Sequence, residues 1–523
     1  MTEPMDEGLN LYWGDMHTNV HHHHMPSLED TFAAALAHLD FFPIAYYPFY
    51  YYQAAGKLQV ETVGQRDQFL EDWEEVLRQV ERHNDPGRFV TFAGYEWHGD
   101  RRFYGDHNVF YFGRGPLTAA QSLPHLYAHL RRARGIAIPH HTAYQVGERG
   151  KDWHYHEDDL SPFAEIYSSH GSSEGCNTPF TLERNQDMAP RVSGGSIQDG
   201  LAHGYRIGIM ASSDSHNGYP GPWGSGLMGV YAAELSRPAL WEAFLQRRVF
   251  GVTGDRMALA FRLNGHFMGS DIRAHPPMEI TGTVVGSDAI DRIELLRDNR
   301  VVHTLCHADR WEVPQGGGPH RLKLRLQCGW GLSPRYGVRA EPRTWRGVTE
   351  VDRGRIISCE GLFTDFGQSF TQEGERSVSW QLTTPPRESG RSNVQGMVFE
   401  IEAPLSAHVR IQVGDEDWGF HVSEAFHRSR VVTFQHQTRE EVQTLLGVGQ
   451  LSEVENLGDV LWHNSAKMKA HLAVPEAAYR VPFTFVDEEV PPGRHWYYLR
   501  VAQLNGQMAW SSPVWVEVPE DRG

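Results

Sequence analysis

Along the first half of the chain, short apolar runs alternate with helical patterns. Leu11 to Trp13 is followed by a helical pattern over Ser27 to Leu39, then by the apolar run Phe41 to Tyr46 and an amphipathic pattern around Phe69 to Val80. The runs Phe89 to Tyr95 and Val109 to Phe112 precede a helical stretch near Leu123 to Arg134, and Ile136 to Ile138, Phe163 to Tyr167 and Ile207 to Ala211 complete the series. A last helix is predicted in "SRPALWEAFLQRR", with Ser236 as N-cap and Pro238 in the first turn. Strands alternating with helices predict an α/β fold with a largely parallel sheet.

The pattern changes near residue 255. After Gly254 it has period two and many turns: "IDRIELLRDNRVVHTL" predicts a hairpin about Asp298-Asn299, and "WYYLRVAQLNGQMAWSSPVWVEV" a second about Asn505-Gly506. The Gly-rich "PQGGGPH" at 314 to 320 reads as a loop. Two domains are therefore expected, residues 10–255 and a β-rich 256–523, since 523 residues exceed one ordinary core.

Composition narrows the class. A hydrophobic share of 40% and a charged share of 22% describe a soluble globular chain, and no run approaches the roughly 18 apolar residues of a membrane span. Met1 to Asn10 is polar and acidic, which predicts no standard export signal. Cys176, Cys306, Cys328 and Cys359 are widely spaced with no CxxC pair, so neither a disulfide framework nor a cysteine zinc site is expected, and the cytoplasm is the expected compartment. A net charge of −18 repels nucleic acid and anionic membranes, leaving a small-molecule substrate as the expected partner. Oligomeric state is not legible.

The unusual count is 30 histidines, with the conspicuous clusters before residue 220. Their placement matters more than their number. "LYWGDMH" ends in Asp15 and His17, "FVTFAGYEWH" in Glu96 and His98, "GIAIPHH" in His140 and His141, "FAEIYSSH" in His170, and "IGIMASSDSH" in Asp214 and His216. Strand ends of a parallel α/β barrel meet at one mouth, so these residues are expected to form one metal site of imidazoles and carboxylates, suited to Zn, Mn or Fe.

In order, "GDMH", "GYEWHG", "DHNVFYF", "IPHH" and "SSDSHNG" resemble the metal-binding motifs of the PHP (polymerase and histidinol phosphatase) superfamily, and the surrounding sequence is similar to its uncharacterised branch near the carbaryl-hydrolase type proteins. The resemblance covers about residues 10 to 255, with the terminal "YYLRVAQLNGQMAWSSPVW" similar as well. It implies a distorted (β/α)7 barrel holding two or three divalent ions. It places His17 at the first His of an HxH motif, Glu96 at the bridging carboxylate, His107 at the histidine after it, His140 at the next, and Asp214 and His216 at the closing pair. Two positions depart from the pattern: Asn19 stands for the second His of HxH, and Ala45-Tyr46-Tyr47 for a T-D-H triplet. Both substitutes are weaker ligands than neutral imidazole. One residue of the His21 to His24 run, His23 or His24, is expected to make up for them, with two ions firmly held and a third weak or absent.

Other polar residues carry blander expectations. His38, His125 and His129 fall on predicted helices, and His154 and His156 in a polar loop. Tyr46 to Tyr52 reads equally as a substrate-stacking wall or as packing, Glu165 is an acid inside a strand, and Arg184, Arg191 and Arg206 are candidate anion contacts.

Two ions bridged by Glu96, with Asp214 a further essential carboxylate, would bring a shared water toward neutral pKa, and His170 or His141 would protonate the leaving oxygen. No G-x-S-x-G elbow or P-loop competes. The expected function is a metal-dependent phosphoesterase acting on a small metabolite. The alternatives are a hydrolase of an ester, carbamate or lactone, and a non-catalytic metal- or carbohydrate-binding protein.

Overall fold

The computed structural model describes residues 8–48, 51–54, 57–60, 66–179, 190–334, 340–388, 392–447 and 457–520. It is strand-rich mixed α/β and divides into two compact units, one of residues 1–286, 290–308 and 480–523, the other of 287–289 and 309–479.

In the first unit, strand β1 (Asn10–Gly14) is followed by β2 (Asn19–His21), helix α1 (Leu28–His38), β3 (Phe41–Pro43), β4 (Ala45–Tyr47), the hairpin β5 (Tyr51–Ala54) and β6 (Lys57–Val60), and helix α2 (Arg66–His83). Then come β7 (Val90–Trp97), the single turn α3 (Arg101–Tyr104), β8 (His107–Tyr111), α4 (Leu123–Ala133), β9 (Gly135–Pro139), β10 (Phe163–Ser168) and β11 (Gly171–Ser172). Helix α5 (Ile197–Ala202), β12 (Gly208–Ala211), β13 (Leu227–Ala232), α6 (Arg237–Leu245) and β14 (Val249–Val252) complete this part. The predicted elements are found with ends shifted by a few residues, and Ser236 caps α6 by accepting from the Ala239 amide at 3.3 Å.

The sheet is less parallel than the alternating pattern predicts. β1, β3 and β7 are parallel neighbours, as are β2 with β4 and β10 with β12. β8 instead runs antiparallel to both β7 and β9, and β13 antiparallel to β1. The physical reason at β8 is the length of the link: residues 98–106 are too few for a crossover, so the chain turns straight back. β14 passes so close to β12 that a Cβ on Gly251 would stand 2.6 Å from the Ala211 amide nitrogen, which is why glycine occupies that position.

The compact units do not divide at residue 255. Strands of residues 258–263, 278–285 and 480–487 pair in one antiparallel sheet, and 290–297 pairs along 493–503. Met508–Ser511 pairs with β14 through Phe250↔Ser511 and Val252↔Ala509, so the end of the chain extends the sheet begun at its start. The change to period two marks a change of local structure, whereas the unit boundary follows pairing between distant strands. Both expected hairpins form: Asp298 and Asn299 take the positive φ of 52° and 66° that a two-residue turn requires, and Gly506 has φ 83°.

The second unit is built on two antiparallel sheets, six-stranded and five-stranded. Alternation is plain in Ser377–Thr384, where Val378, Trp380, Leu382 and Thr384 are buried. Of the Gly-rich segment, Pro319 and His320 open the strand Pro319–Trp330 and are not loop. Among the described residues no helix is long and apolar enough to cross a membrane.

Candidate metal centre

The ends of β1, β7, β9, β10 and β12 deliver His17, Glu96, His140, His141, His170 and Asp214 to one buried region. Three overlapping groups of ligand atoms form there: His17, Glu96 and His140; Asp106, His140 and His141; and His141, His170 and Asp214. Within each group the ligand atoms lie within 4.8 Å of one another. His17 Nε2 stands 3.8 Å from Glu96 Oε2 and 3.3 Å from Asp214 Oδ1, and His140 Nε2 stands 3.7 Å from Glu96 Oε1. His170 bonds Asp214 Oδ2 through Nε2 at 2.7 Å.

Buried polar atoms almost always find partners, and here several have none. His17 Nε2, Glu96 Oε2, Asn19 Oδ1 and both ring nitrogens of His140 are buried without a hydrogen bond among the described residues. One nitrogen of His17, one of His140 and a Glu96 oxygen lie within 4.8 Å of one another, and a divalent cation is a group that would satisfy them together. The donor set, imidazole nitrogen with carboxylate oxygen, fits Zn, Mn or Fe.

The surroundings set each donor. Glu165, inside β10, has Oε2 2.7 Å from His17 Nδ1 and accepts from Ser212 Oγ at 2.8 Å and from the His141 amide at 3.3 Å. A carboxylate behind a ligating imidazole fixes its orientation and leaves the other nitrogen facing the cluster. Asp15 is a structural pin and not a ligand: it accepts from the amides of His17 (3.0 Å), Ser213 (3.0 Å) and Gly221 (2.7 Å) and from Thr18 Oγ1 (2.7 Å), tying β1 to the loop after β12. His141 and Asp214 hold φ of 33° and 52°, a left-handed conformation costing a non-glycine residue about 1 kcal/mol or more. Both lie in the cluster.

Charge is arranged for cation binding. Burial pushes the Glu96 carboxyl up, but His98, His17 and His140 outweigh it and hold it well below the usual range. Asp214 is likewise held well below despite burial, by His17 and His170. Burial, then His17, lowers His140 to about 3, leaving a neutral imidazole. Burial opposes the proton on His17, yet Asp214 and Glu165 raise that residue well above its ordinary value.

The expected residues do not all fall together. His107 lies opposite Trp97 and Pro139 in register, while Glu96 lies opposite Asn108, so alternation puts His107 on the other sheet face from Glu96. Its ring packs 5.8 Å from that of Trp97, and it joins none of the ligand groups. The residue before it, Asp106, is on the cluster side, within one of the possible ligand groups, and pairs with Arg101 and Arg149. Of the histidine run, His21 reaches the site, with Nε2 2.9 Å from His216 Nδ1, while His23 and His24 pack on each other at a tilt, with centroids 4.0 Å apart. His216 Nε2 lies 3.1 Å from Asp214 Oδ1, and Asn19 Nδ2 lies 3.2 Å from the same nitrogen. Tyr47 packs against His21, His98 and His216.

His170 and His141, expected at the metal site and as proton donors, belong to a possible ligand group, and His170 Nδ1 lies 2.7 Å from the Tyr144 hydroxyl. Arg206 pairs with Asp271, and Arg191 binds the carbonyls of Ser172, Cys176 and Thr178, so neither is an anion contact here. Arg184 and the aromatic positions Phe49 and Tyr50 lie outside the described residues. His38 is a satisfied core residue, 2.8 Å from the Ala34 carbonyl and 3.0 Å from that of Pro220. His156 is buried, not a loop-surface residue.

Fold and site together define a strand-rich α/β protein with a buried histidine–carboxylate cluster able to hold divalent cations. Residues 44–132 and 221–283 match a family model described as a protein of unknown function, DUF3604. An uncharacterized protein of Chlamydia pneumoniae is 26% identical over 258 residues, which is 44% of this chain and 40% of that protein. One from Chlamydia trachomatis serovar D is 25% identical over 257 residues, 45% of this chain and 41% of that protein. The matches thus span about two fifths of the length of these relatives. A solved structure from Bacteroides vulgatus, a two-domain protein containing a predicted PHP-like metal-dependent phosphoesterase, superposes with a TM-score of 0.32 at 10% identity, covering 80% of this chain and 98% of that one.

Proposed function

We propose that the protein is a metal-dependent hydrolase, acting by a metal-activated water on a phosphoester of a small metabolite. The observation that carries the reading is the convergence of His17 Nε2, Glu96 Oε2 and His140 Nε2, buried and without hydrogen bonds. His17, Glu96 and His140 would hold one ion, and His141, His170 and Asp214 a second. A bound pair supplies a water deprotonated near neutral pH and positive charge against the attacked group.

The chain's own residues supply the rest. Glu165 orients His17 and Tyr144 orients His170, each through Nδ1, which turns Nε2 of both rings toward Asp214 before substrate arrives. His98 contacts Glu96 directly and stands beside Tyr47, where it can pass a proton to a leaving oxygen. The parallel runs β1-β3-β7 and β10-β12 support a distorted (β/α)7 barrel, and the chain's negative charge supports a small-molecule substrate in place of nucleic acid or membrane. Hydrolysis of a carboxyl-type bond is the second reading, since the same cluster would polarise a carbonyl.

The test is a substrate panel on protein reconstituted with Zn, Mn or Fe. Hydrolysis that follows metal loading and falls to background in folded Glu96→Ala and Asp214→Ala variants is the expected result. Wild-type turnover in either variant would defeat the assignment.

A further inference from the structure

The histidine run is ordered in space toward the metal centre. Residues His22–Ser27 form a 3-10 turn, whose three-residue repeat sets His21 and His24 over one another, and His24 Nδ1 accepts from the His21 amide at 3.2 Å. His23 is exposed; its ring centroid lies 4.0 Å from that of His24 and 5.2 Å from that of His21. His21 Nε2 is 2.9 Å from His216 Nδ1, and His216 Nε2 is 3.1 Å from Asp214 Oδ1. That same Oδ1 is 3.3 Å from His17 Nε2. Donor groups therefore run in one line from an exposed ring to a fully buried one. Exposure falls along its inner half: the His216 side chain is 48% exposed, that of Asp214 3% and that of His17 1%.

Ligand chemistry says what such a line does. Bonds from zinc to nitrogen or oxygen are about 2.0–2.2 Å long, so donors roughly 3 Å apart can hold one ion together. The pairs His21–His216 and His216–Asp214, at 2.9 and 3.1 Å, both have that spacing. His216 presents one ring nitrogen to each side. A new bond can thus form before an old one breaks, and the ion stays bound between capture and burial. An ion held on the run also stands beside the buried ligands at an effective concentration on the order of millimolar, whereas a buried centre otherwise waits for a hydrated ion to arrive from solution.

We propose that His23, His24, His21 and His216 form an entry path for the metal centre, capturing a divalent ion such as Zn at the surface and passing it ligand by ligand to Asp214. The inference rests on reading the buried cluster as the metal centre of a hydrolase and says how that centre is filled. His23 and His24 act in passage only, so they set rates and not the final content. Because affinity is the ratio of the loading and release rates, a path that speeds one speeds the other by the same factor. Loss of a resident ligand does the opposite to release and makes it faster.

The experiment uses tag-free, full-length protein stripped of metal, with Zn as the probe. Stopped-flow mixing against a chromophoric zinc indicator gives the loading rate, mixing of loaded protein with excess chelator gives the release rate, and elemental analysis gives the content. The double variant His23→Gln/His24→Gln keeps an acceptor for the His21 amide, so the turn is expected to hold. Loading and release should both slow about tenfold or more. Content should stay at about two divalent ions per chain. His22→Gln is the control: it removes a ring of the same run whose Nδ1 lies 2.7 Å from Asp72 Oδ2, and it should load at the wild-type rate. Wild-type loading in the double variant, slower loading with faster release, or equal slowing by His22→Gln would each overturn the path. A protein that loads along the path but hydrolyses no substrate would defeat the hydrolase reading alone.

Discussion

Glu165 Oε2 lies 2.7 Å from Nδ1 of His17, a buried contact between residues 148 apart in sequence that joins the end of β1 to β10. The imidazole N–H donates to the carboxylate, so Nε2 is the atom offered to the cluster. That pairing fixes orientation and raises the basicity of the ligand.

Glu165→Gln should keep the fold, because Gln retains an acceptor for His17 and Ser212, yet weaken metal binding about 10–100-fold. Competition against a chromophoric chelator measures this. Affinity equal to wild type would show that Glu165 only fills space.

Ion uptake should release protons. His17 is raised well above its ordinary value, because Asp214 and Glu165 outweigh burial, so at neutral pH an incoming cation must displace its proton; His140, lowered to about 3, has none to give. The sign follows: affinity climbs with pH and levels off once pH passes the folded pKa of His17. Calorimetry in two buffers of different ionisation enthalpy should give at least about one proton per chain. No release at pH 7 would contradict the charge arrangement.

Within the histidine run, His22 pairs with Asp72, and the other three residues should separate. His21 touches His216, whereas His23 and His24 touch each other and His21, so His23→Gln and His24→Gln should leave elemental analysis at about two divalent ions per chain. His21→Gln should affect only a weakly held third ion. Loss of a firmly held ion in the His23 or His24 variant would place the ligand in the run after all.

A cut at residue 255 should destroy the first unit. It removes Met508–Ser511 from β14 and leaves an apolar edge, Val249 to Val252, unpaired. Residues 1–255 alone should aggregate, while residues 309–479, which hold their own two sheets, should show a cooperative thermal transition. A soluble, cooperatively melting 1–255 fragment would refute this division.

The sequence by itself determined which residue types end the strands and where local turns fall. Asp298-Asn299 reads as a turn because its chemistry is local: both residues tolerate positive φ, and the flanking alternation sets the strands. His17, Glu96, His140, His170 and Asp214 were legible because they end apolar runs, and the ends of those strands meet in one buried region. The carboxylate Asp106 carried no such signal beyond lying near those ends, in "GDRRFYGDH".

Tertiary structure alone decided what depends on register and distant pairing. A strand shows period two but not which face meets the site, and the reversal of β8 turned His107 toward Trp97 and away from Glu96. Glu165 was legible as an acid in a strand, yet only the approach of β1 to β10 made it the partner of His17. The pattern break near residue 255 was real as a change of local structure. Which unit each side joined depended on hydrogen bonds between strands more than two hundred residues apart, and periodicity carries no record of those.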